Sequence, residues 1–337
     1  MLRFGIGQGK TRGASNFTVL TSAERASSIT LLSDNSIAAI DEYDLVICNS
    51  ETFNVESRFP YSIFLYGILE LPNNKIACPS EDSKIIIINK LDNNKLELYQ
   101  TLEGHNQRVH QVILLENKDL CSCSFDGSII IWKLNEENKY ILHKKIIVGE
   151  IRQSTKFDMK TMKMESVEAA RFIDSICQVS SNLILCSSNS FVEKPGYVKF
   201  VNIDNGTIEK KIMLEIGNWI TMVKINDDYV FIGGLNLIYL IKISEMKKVK
   251  EIDCKIRRSG NVTCVYKSKD NKYIYAGITE GSGDNASSRL FKYVIDGDDV
   301  KEEKRGFDEP DLISCICKLD NGKIITGPKV KVIDDLV

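Results

Sequence analysis

Ten cysteines and three histidines are the residues in this 337-residue sequence whose chemistry could include metal binding or disulfide formation. Both kinds of site have characteristic spacings. The closest cysteines instead form two C-x-C pairs, Cys121 with Cys123 and Cys315 with Cys317. Residues i and i+2 of a strand face the same side of a sheet, so each pair fits two small core side chains. The spacing predicts buried, reduced thiols with no metal or cofactor site. It favours the cytoplasm or the nucleus over an oxidising compartment.

Two glycine-rich stretches resemble nucleotide-binding loops only in part. In residues 5–11, GIGQGKT, the position where a phosphate-binding loop needs its first glycine is Phe4. Residues 281–286 lie between two expected strands rather than before a helix, as a dinucleotide-binding loop requires. No nucleophile with an adjacent base and no paired carboxylates stand out. The sequence therefore predicts a protein that is not an enzyme.

Charge and hydropathy exclude two further classes of function. The chain has 44 basic and 46 acidic side chains, so we expect no bulk electrostatic attraction to nucleic acid. No signal peptide is visible, and no segment approaches the roughly 18 apolar residues of a membrane span. These features predict a folded cytoplasmic protein.

A repeated unit organises the chain: an apolar strand, a tight polar turn, a second apolar strand, then a third strand. The turns are rich in Asn, Asp, Gly and Ser, which suit hairpins. The first apolar residue after each turn marks the repeat at Ile37, Ile76, Leu120, Leu183, Val230, Ile274 and Ile324. The marks lie about 40–50 residues apart, except for one step with an insertion of about 20 residues. Seven marks predict seven blades of a β-propeller.

The third unit contains the most specific motif. It has Gly-His at His105, Asp-Gly at Asp126 and a tryptophan, Trp132, that closes the third strand. This unit resembles a WD40 repeat. The resemblance implies a buried hydrogen-bonded tetrad of His105, Ser122 or Ser124, Asp126 and Trp132, and a fully satisfied network of that kind fixes one geometry.

The remaining units share the pattern of strands and turns but lack the full motif. Blade seven supplies three strands, and the β-rich segment Phe17–Thr21 can add the fourth. We therefore expect an all-β fold in which residues 1–337 form a single WD40-like seven-bladed β-propeller. An N-terminal strand closes it by completing the last blade. Residues 1–15 would be a flexible tail.

The long segments all fall on one face of such a propeller. This face, called the top face below, carries the second-to-third strand hairpins and the connections between blades. Residues 150–170, between blades three and four, include Met159 and Met162, and an amphipathic helix could start at Phe157. The segment is interpreted either as an adaptable partner-binding element or as a tolerated insertion, and the sequence does not decide between them.

Arg108, Phe125 and Trp219 occupy top-face positions where members of the resembled family often contact partners. Arginine and aromatic residues are common interface anchors, although packing beneath a loop is the alternative for each. The predicted function is a non-enzymatic scaffold or adaptor that binds other proteins or peptides as part of a larger complex. No nucleic-acid partner is expected.

A second hypothesis starts from Arg257 and Arg258, which lie between blades five and six. Phosphoinositide-binding propellers carry Phe-Arg-Arg-Gly at a similar place, and an arginine pair can grip phosphate. Here Ile256 replaces the phenylalanine, and Ser259 separates the arginines from the glycine. Membrane recruitment is expected only under this alternative.

Overall fold

The structure is a computed structural model. It describes residues 28–92, 94–158, 163–189, 196–214, 220–254, 260–281, 287–297, 299–309, 313–327 and 331–334. These residues form antiparallel sheets, and none of the described residues is helical. Six sheets have four strands and one has three, and these seven are the blades of a β-propeller. The predicted fold class is therefore confirmed.

The strands follow one another through the blades in chain order. Blade one contains β1 (Ile29–Leu31), β2 (Ile37–Asp41), β3 (Asp44–Cys48) and β4 (Val55–Phe59). Blade two contains β5 (Leu69–Leu71), β6 (Lys75–Pro79), β7 (Lys84–Lys90) and β8 (Leu96–Glu103). Blade three contains β9 (Val109–Leu114), β10 (Leu120–Ser124), β11 (Ser128–Leu134) and β12 (Tyr140–Ile147). A separate hairpin follows, formed by β13 (Ile151–Asp158) and β14 (Lys163–Ala170).

The second half of the ring repeats the arrangement. Blade four contains β15 (Ile176–Ser180), β16 (Leu183–Ser188), β17 (Gly196–Asn202) and β18 (Ile208–Leu214). Blade five contains β19 (Thr221–Lys224), β20 (Tyr229–Gly233), β21 (Leu237–Lys242) and β22 (Lys247–Asp253). Blade six contains β23 (Gly260–Lys267), β24 (Tyr273–Glu280), β25 (Ser287–Asp296) and β26 (Asp299–Glu309). Blade seven contains β27 (Cys315–Lys318), β28 (Ile324–Gly327) and β29 (Lys331–Ile333).

Turn chemistry explains why the repeat marks identified the blades. Each of the seven marks lies at the first or second residue of a blade's second strand. The turns before these strands use left-handed backbone at Asn35 (φ 66°), Lys118 (φ 71°), Asn271 (φ 57°) and Gly322 (φ 85°). Asparagine and glycine tolerate that conformation better than other residues, so polar tetrapeptides between apolar runs predict the hairpins.

The hydrophobic core lies between blades. The described residues form seven buried clusters, and each combines residues of two neighbouring blades. One of them packs Ile29, Ala39 and Val46 of blade one against Cys315 and Ile325 of blade seven. This contact closes the ring through side-chain packing. All ten cysteines are buried in these layers, and burial raises the pKa of the Cys78 thiol to about 12.

The prediction of a helix from Phe157 is wrong. Strands β13 and β14 pair over eight residues each, from Ile151 opposite Ala170 to Asp158 opposite Lys163. A helix of this length is marginal without packing partners, whereas a hairpin satisfies many of its backbone groups locally. Met159 and Met162 lie outside the described residues.

The predicted closing strand, Phe17–Thr21, and the tail of residues 1–15 also lie outside the described residues. Among the described residues, no helix is long and apolar enough to cross a membrane.

Candidate protein-binding face

A central cavity of about 750 Å³ runs through the ring. Residues in the innermost strand of each blade, or just before it, line its wall, among them Ile29, Ile68, Thr221 and Cys315. His110 and Asp174 also line it. The wall mixes apolar side chains with hydroxyl and amide groups, so the cavity offers both kinds of contact.

A buried hydrogen-bonded tetrad lies within blade three. His105 Nε2 lies 2.8 Å from Ser122 Oγ, and Trp132 Nε1 donates to the same oxygen at 2.9 Å. His105 Nδ1 lies 3.2 Å from Asp126 Oδ2. The structure thus brings His105, Ser122, Asp126 and Trp132 into one chain, and it places Ser122 rather than Ser124 between the rings.

The direction of every bond in this chain follows from chemistry. Burial lowers the pKa of His105, so the ring is neutral at pH 7 and carries one proton. Asp126 only accepts, which places that proton on Nδ1. The Nε2 atom must then accept from the Ser122 hydroxyl, which itself accepts from the Trp132 indole. Each member is satisfied by its neighbour, and this arrangement holds the end of β10 in place.

Ser124 bonds backbone groups instead of the tetrad side chains. Its hydroxyl donates to the Gln107 carbonyl at 2.9 Å and accepts from the Asp126 amide at 3.0 Å. These bonds fasten the segment before β9 to the end of β10, and therefore fix the backbone on either side of Arg108.

Two further partners of Asp126 were missed from the sequence. Ser128 donates to Oδ1 from both its amide and its hydroxyl, and Lys145 Nζ lies 2.9 Å from Oδ2. With His105 and the Asn106 amide, these donors hold the pKa of Asp126 well below its usual range despite the opposing effect of burial.

Blade two repeats half of this network with different residues. Tyr61 O–H donates to Asp82 Oδ2 at 3.1 Å. Leu65 pairs with Ser80 in blade two, as Val109 pairs with Ser124 in blade three. Tyr61 lies four residues before Leu65, and His105 lies four residues before Val109, so the two side chains occupy equivalent positions. Sequence analysis missed Tyr61 because no Gly-His precedes this blade. The available signal was the spacing of four residues between Tyr61 and the apolar residue Leu65, which matches that between His105 and Val109.

Arg108 lies on aromatic rings of the top face, next to Tyr66 of the cavity wall. Its guanidinium carbon stands 3.7 Å from the centre of the Phe125 ring, and Nη1 donates to Tyr66 O–H at 3.2 Å. Phe125 stacks on Phe172 with ring centres 4.4 Å apart. We call Tyr66, Arg108, His110, Phe125 and Phe172 the aromatic rim. Its members come from blades two and three and from the segment that leads into blade four.

His110 and Asp174 link the rim to the next blades. His110 Nδ1 donates to the Asp174 carbonyl at 2.6 Å, and burial lowers the pKa of this histidine to about 4. The Asp174 carboxylate accepts from Ser187, from Asn189 at 3.2 Å and from the Ile220 amide at 3.0 Å. Burial outweighs these bonds and raises the pKa of Asp174 to about 6.

The residues that the sequence predicted to contact a partner differ in their exposure, and several lie outside the described residues. Arg108 is partly exposed, whereas Phe125 is only 7% exposed, so its ring supports the arginine from below. Trp219, Met159, Met162, Arg257 and Arg258 lie outside the described residues. Neither the fold nor the comparisons below support phosphoinositide binding.

Comparisons with known proteins agree with this geometry. The family described as "WD domain, G-beta repeat" matches residues 96–133, which run from β8 into β11. No curated protein sequence gives a significant match. Among solved structures, a chain of "Crystal Structure of Mitotic Checkpoint Complex" matches with a TM-score of 0.68. The match covers 99% of this chain and 98% of that chain at 13% identity, a level at which the similarity shows the shared fold. The fold and the matched repeat together identify the chain as a seven-bladed β-propeller whose third blade carries a WD40 repeat.

Proposed function

We propose that the protein is a non-enzymatic interaction scaffold that binds partner proteins through its top face as part of a larger complex. The observation that carries the proposal is the aromatic rim, where a partly exposed arginine is held against the Phe125 and Tyr66 rings, and Tyr66 lines the central cavity. Arginine and aromatic side chains in rigid surroundings are typical of interface anchors.

The difference between the two faces supports this assignment. The opposite face carries short turns, such as residues 32–36 and 115–119. The top face carries the β13–β14 hairpin, the connection after β16 and the connection after β24. Long connections on a rigid scaffold are common sites of binding.

The structural neighbour gives general support. That chain belongs to a structure described as a mitotic checkpoint complex, so a propeller of this shape occurs in a protein assembly. The likeness does not carry the partners of that assembly over to this chain, because folds host many functions.

Affinity purification of the tagged protein with mass spectrometry tests the proposal. We expect the double variant Arg108→Ala with Trp219→Ala to lose the main partner while its melting temperature stays close to that of the wild type. Interface anchors often contribute about 2 kcal/mol or more, which corresponds to roughly a thirtyfold loss of affinity.

The control is Asp227→Lys, a charge reversal at a fully exposed side chain in the turn between β19 and β20 on the opposite face. This variant should retain the partner. Loss of the partner in the control, together with retention in the double variant, would show that the partner does not bind through the top face.

A further inference from the structure

We infer that Arg108 is the receptor for a carboxylate side chain in an extended acidic segment of the partner protein. The inference deepens the proposed function and rests on it, because it names the chemistry that the top face recognises. It starts from a cation that is held rigidly but lacks an acidic partner.

The guanidinium of Arg108 is fixed before any partner arrives. The Phe125 ring lies beneath it at 3.7 Å, and the Tyr66 hydroxyl accepts from Nη1. The backbone is fixed as well, because the Phe125 amide donates to the Arg108 carbonyl at 3.1 Å. A side chain that is already ordered loses less conformational entropy on binding, so its position favours recognition.

The charge of Arg108 is unmatched. Among the described residues, no carboxylate forms an ion pair with it, and its side chain contacts the Phe125 ring and the ring and hydroxyl of Tyr66. Arg58, by contrast, bonds Asp41 at 2.6 Å and Asp44 at 2.8 Å. His110 adds no charge at pH 7 because its pKa is about 4. One positive charge therefore stands next to Tyr66 of the cavity wall.

A single cation favours a carboxylate over a phosphate. A phosphate group carries close to two negative charges at pH 7 and is usually held by several basic groups. The cavity wall also contains the buried Asp174, which repels a doubly charged ligand more strongly than a singly charged one. A carboxylate carries one charge and matches the planar fork of one guanidinium with two parallel hydrogen bonds.

The cavity indicates that the carboxylate belongs to a peptide chain. Its volume of about 750 Å³ exceeds what one acidic side chain fills. Tyr66, whose hydroxyl accepts from Arg108, is part of its wall, so a ligand bound at Arg108 lies next to this space. The acidic residue would lie on Arg108 while its neighbours enter the cavity.

The test is selection from a random peptide library displayed on phage, with the full-length protein immobilised. We expect the wild type to enrich peptides with Asp or Glu at one fixed position. The charge-reversed variant Arg108→Glu should enrich Lys or Arg at that position instead. Lys133→Gln removes an exposed cation at the far end of β11 in the same blade, and it should select the same acidic peptides as the wild type.

A selected peptide then allows a double-mutant cycle measured by fluorescence anisotropy. Replacing its acidic residue by the amide, or making Arg108→Gln in the protein, should each weaken binding about tenfold or more. Both changes together should cost little more than one of them. The peptide change cannot affect folding of the protein, so it stays informative if the protein variants are unstable.

Selection without an acidic residue at a fixed position would overturn the inference, as would additive losses in the cycle. The co-purification experiment does not require an acidic partner. Loss of the partner there, combined with peptides that lack acidic residues, would uphold the scaffold and exclude the carboxylate.

Discussion

Replacing Asp126 by asparagine removes one negative charge from the centre of the blade-three network. The carboxylate accepts from His105, from the Asn106 amide at 3.0 Å, from Lys145 at 2.9 Å and from two groups of Ser128. An asparagine has one accepting oxygen, so its amino group must face at least one set of these donors. We therefore expect some donors to lose their acceptor while the shape of the side chain stays the same.

The magnitude follows from those contacts. A hydrogen bond to a charged group contributes about 1.5–3 kcal/mol, and the Lys145 bond is discounted because that side chain is partly exposed. We expect a total loss of about 3 kcal/mol. Unfolding entropy is about 2.1 cal/mol/K per residue, or about 0.7 kcal/mol/K for this chain. The melting temperature should therefore fall by about 4 °C, measured by differential scanning calorimetry.

The matched control is Asp82→Asn in blade two. The structure shows one donor to this carboxylate, Tyr61 O–H, while Asp82 Oδ1 is buried without a hydrogen-bond partner. An asparagine oxygen can still accept from Tyr61, so the expected loss is below about 1 kcal/mol. Equal decreases in melting temperature at Asp126 and Asp82 would refute the reasoning.

The pH dependence provides a second check on Asp126. Its folded-state pKa lies below the ordinary value of 3.8, so it stabilises the fold at neutral pH. That contribution is lost as the pH falls below about 4. The difference between wild type and Asp126→Asn should therefore shrink at pH 3. An undiminished difference would contradict the assignment.

Three further predictions concern other parts of the ring. The pKa of Asp174 is raised to about 6, so its ionisation costs about 3 kcal/mol of stability as the pH rises from about 4 through 6. The free energy of unfolding of Asp174→Asn relative to wild type, measured by urea denaturation, should be higher at pH 7.5 than at pH 4.5. The same difference at both pH values would argue against this cost. Deleting residues 1–22 should lower the melting temperature sharply if they supply the last blade's outer strand, and an unchanged value would exclude that role. A Cβ on Gly149 would lie 2.0 Å from the Arg171 carbonyl oxygen, so Gly149→Ala should destabilise by about 1–3 kcal/mol. Gly67→Ala, where the nearest atom is 3.7 Å away, should be close to neutral in the same thermal denaturation.

Local sequence patterns predicted the blades because the relevant forces act over a few residues. Turn residues such as Asn35 and Gly322 set the hairpins, and apolar strands between them supply the layers that pack between blades. The tetrad was predicted in the same way, since His105, Ser122, Asp126 and Trp132 all belong to one repeat.

For residues 151–170, in contrast, the sequence did not show that the two halves of the segment pair as strands. Their composition allowed a helix, and the full ladder between β13 and β14 decided in favour of a hairpin. The partner of Asp82 was hidden for a similar reason. Tyr61 has no sequence motif, and only the pairing of Leu65 with Ser80 shows that it takes the place of a histidine.

The sequence by itself therefore determined the repeat, the number of blades and the polar network within blade three. The aromatic rim was decided by tertiary structure alone. Tyr66, Arg108 and Phe172 are far apart in the chain and belong to three consecutive parts of the ring. They meet only when neighbouring blades pack face to face, because burial of the apolar sheet faces brings the ends of separate strands to one cavity mouth.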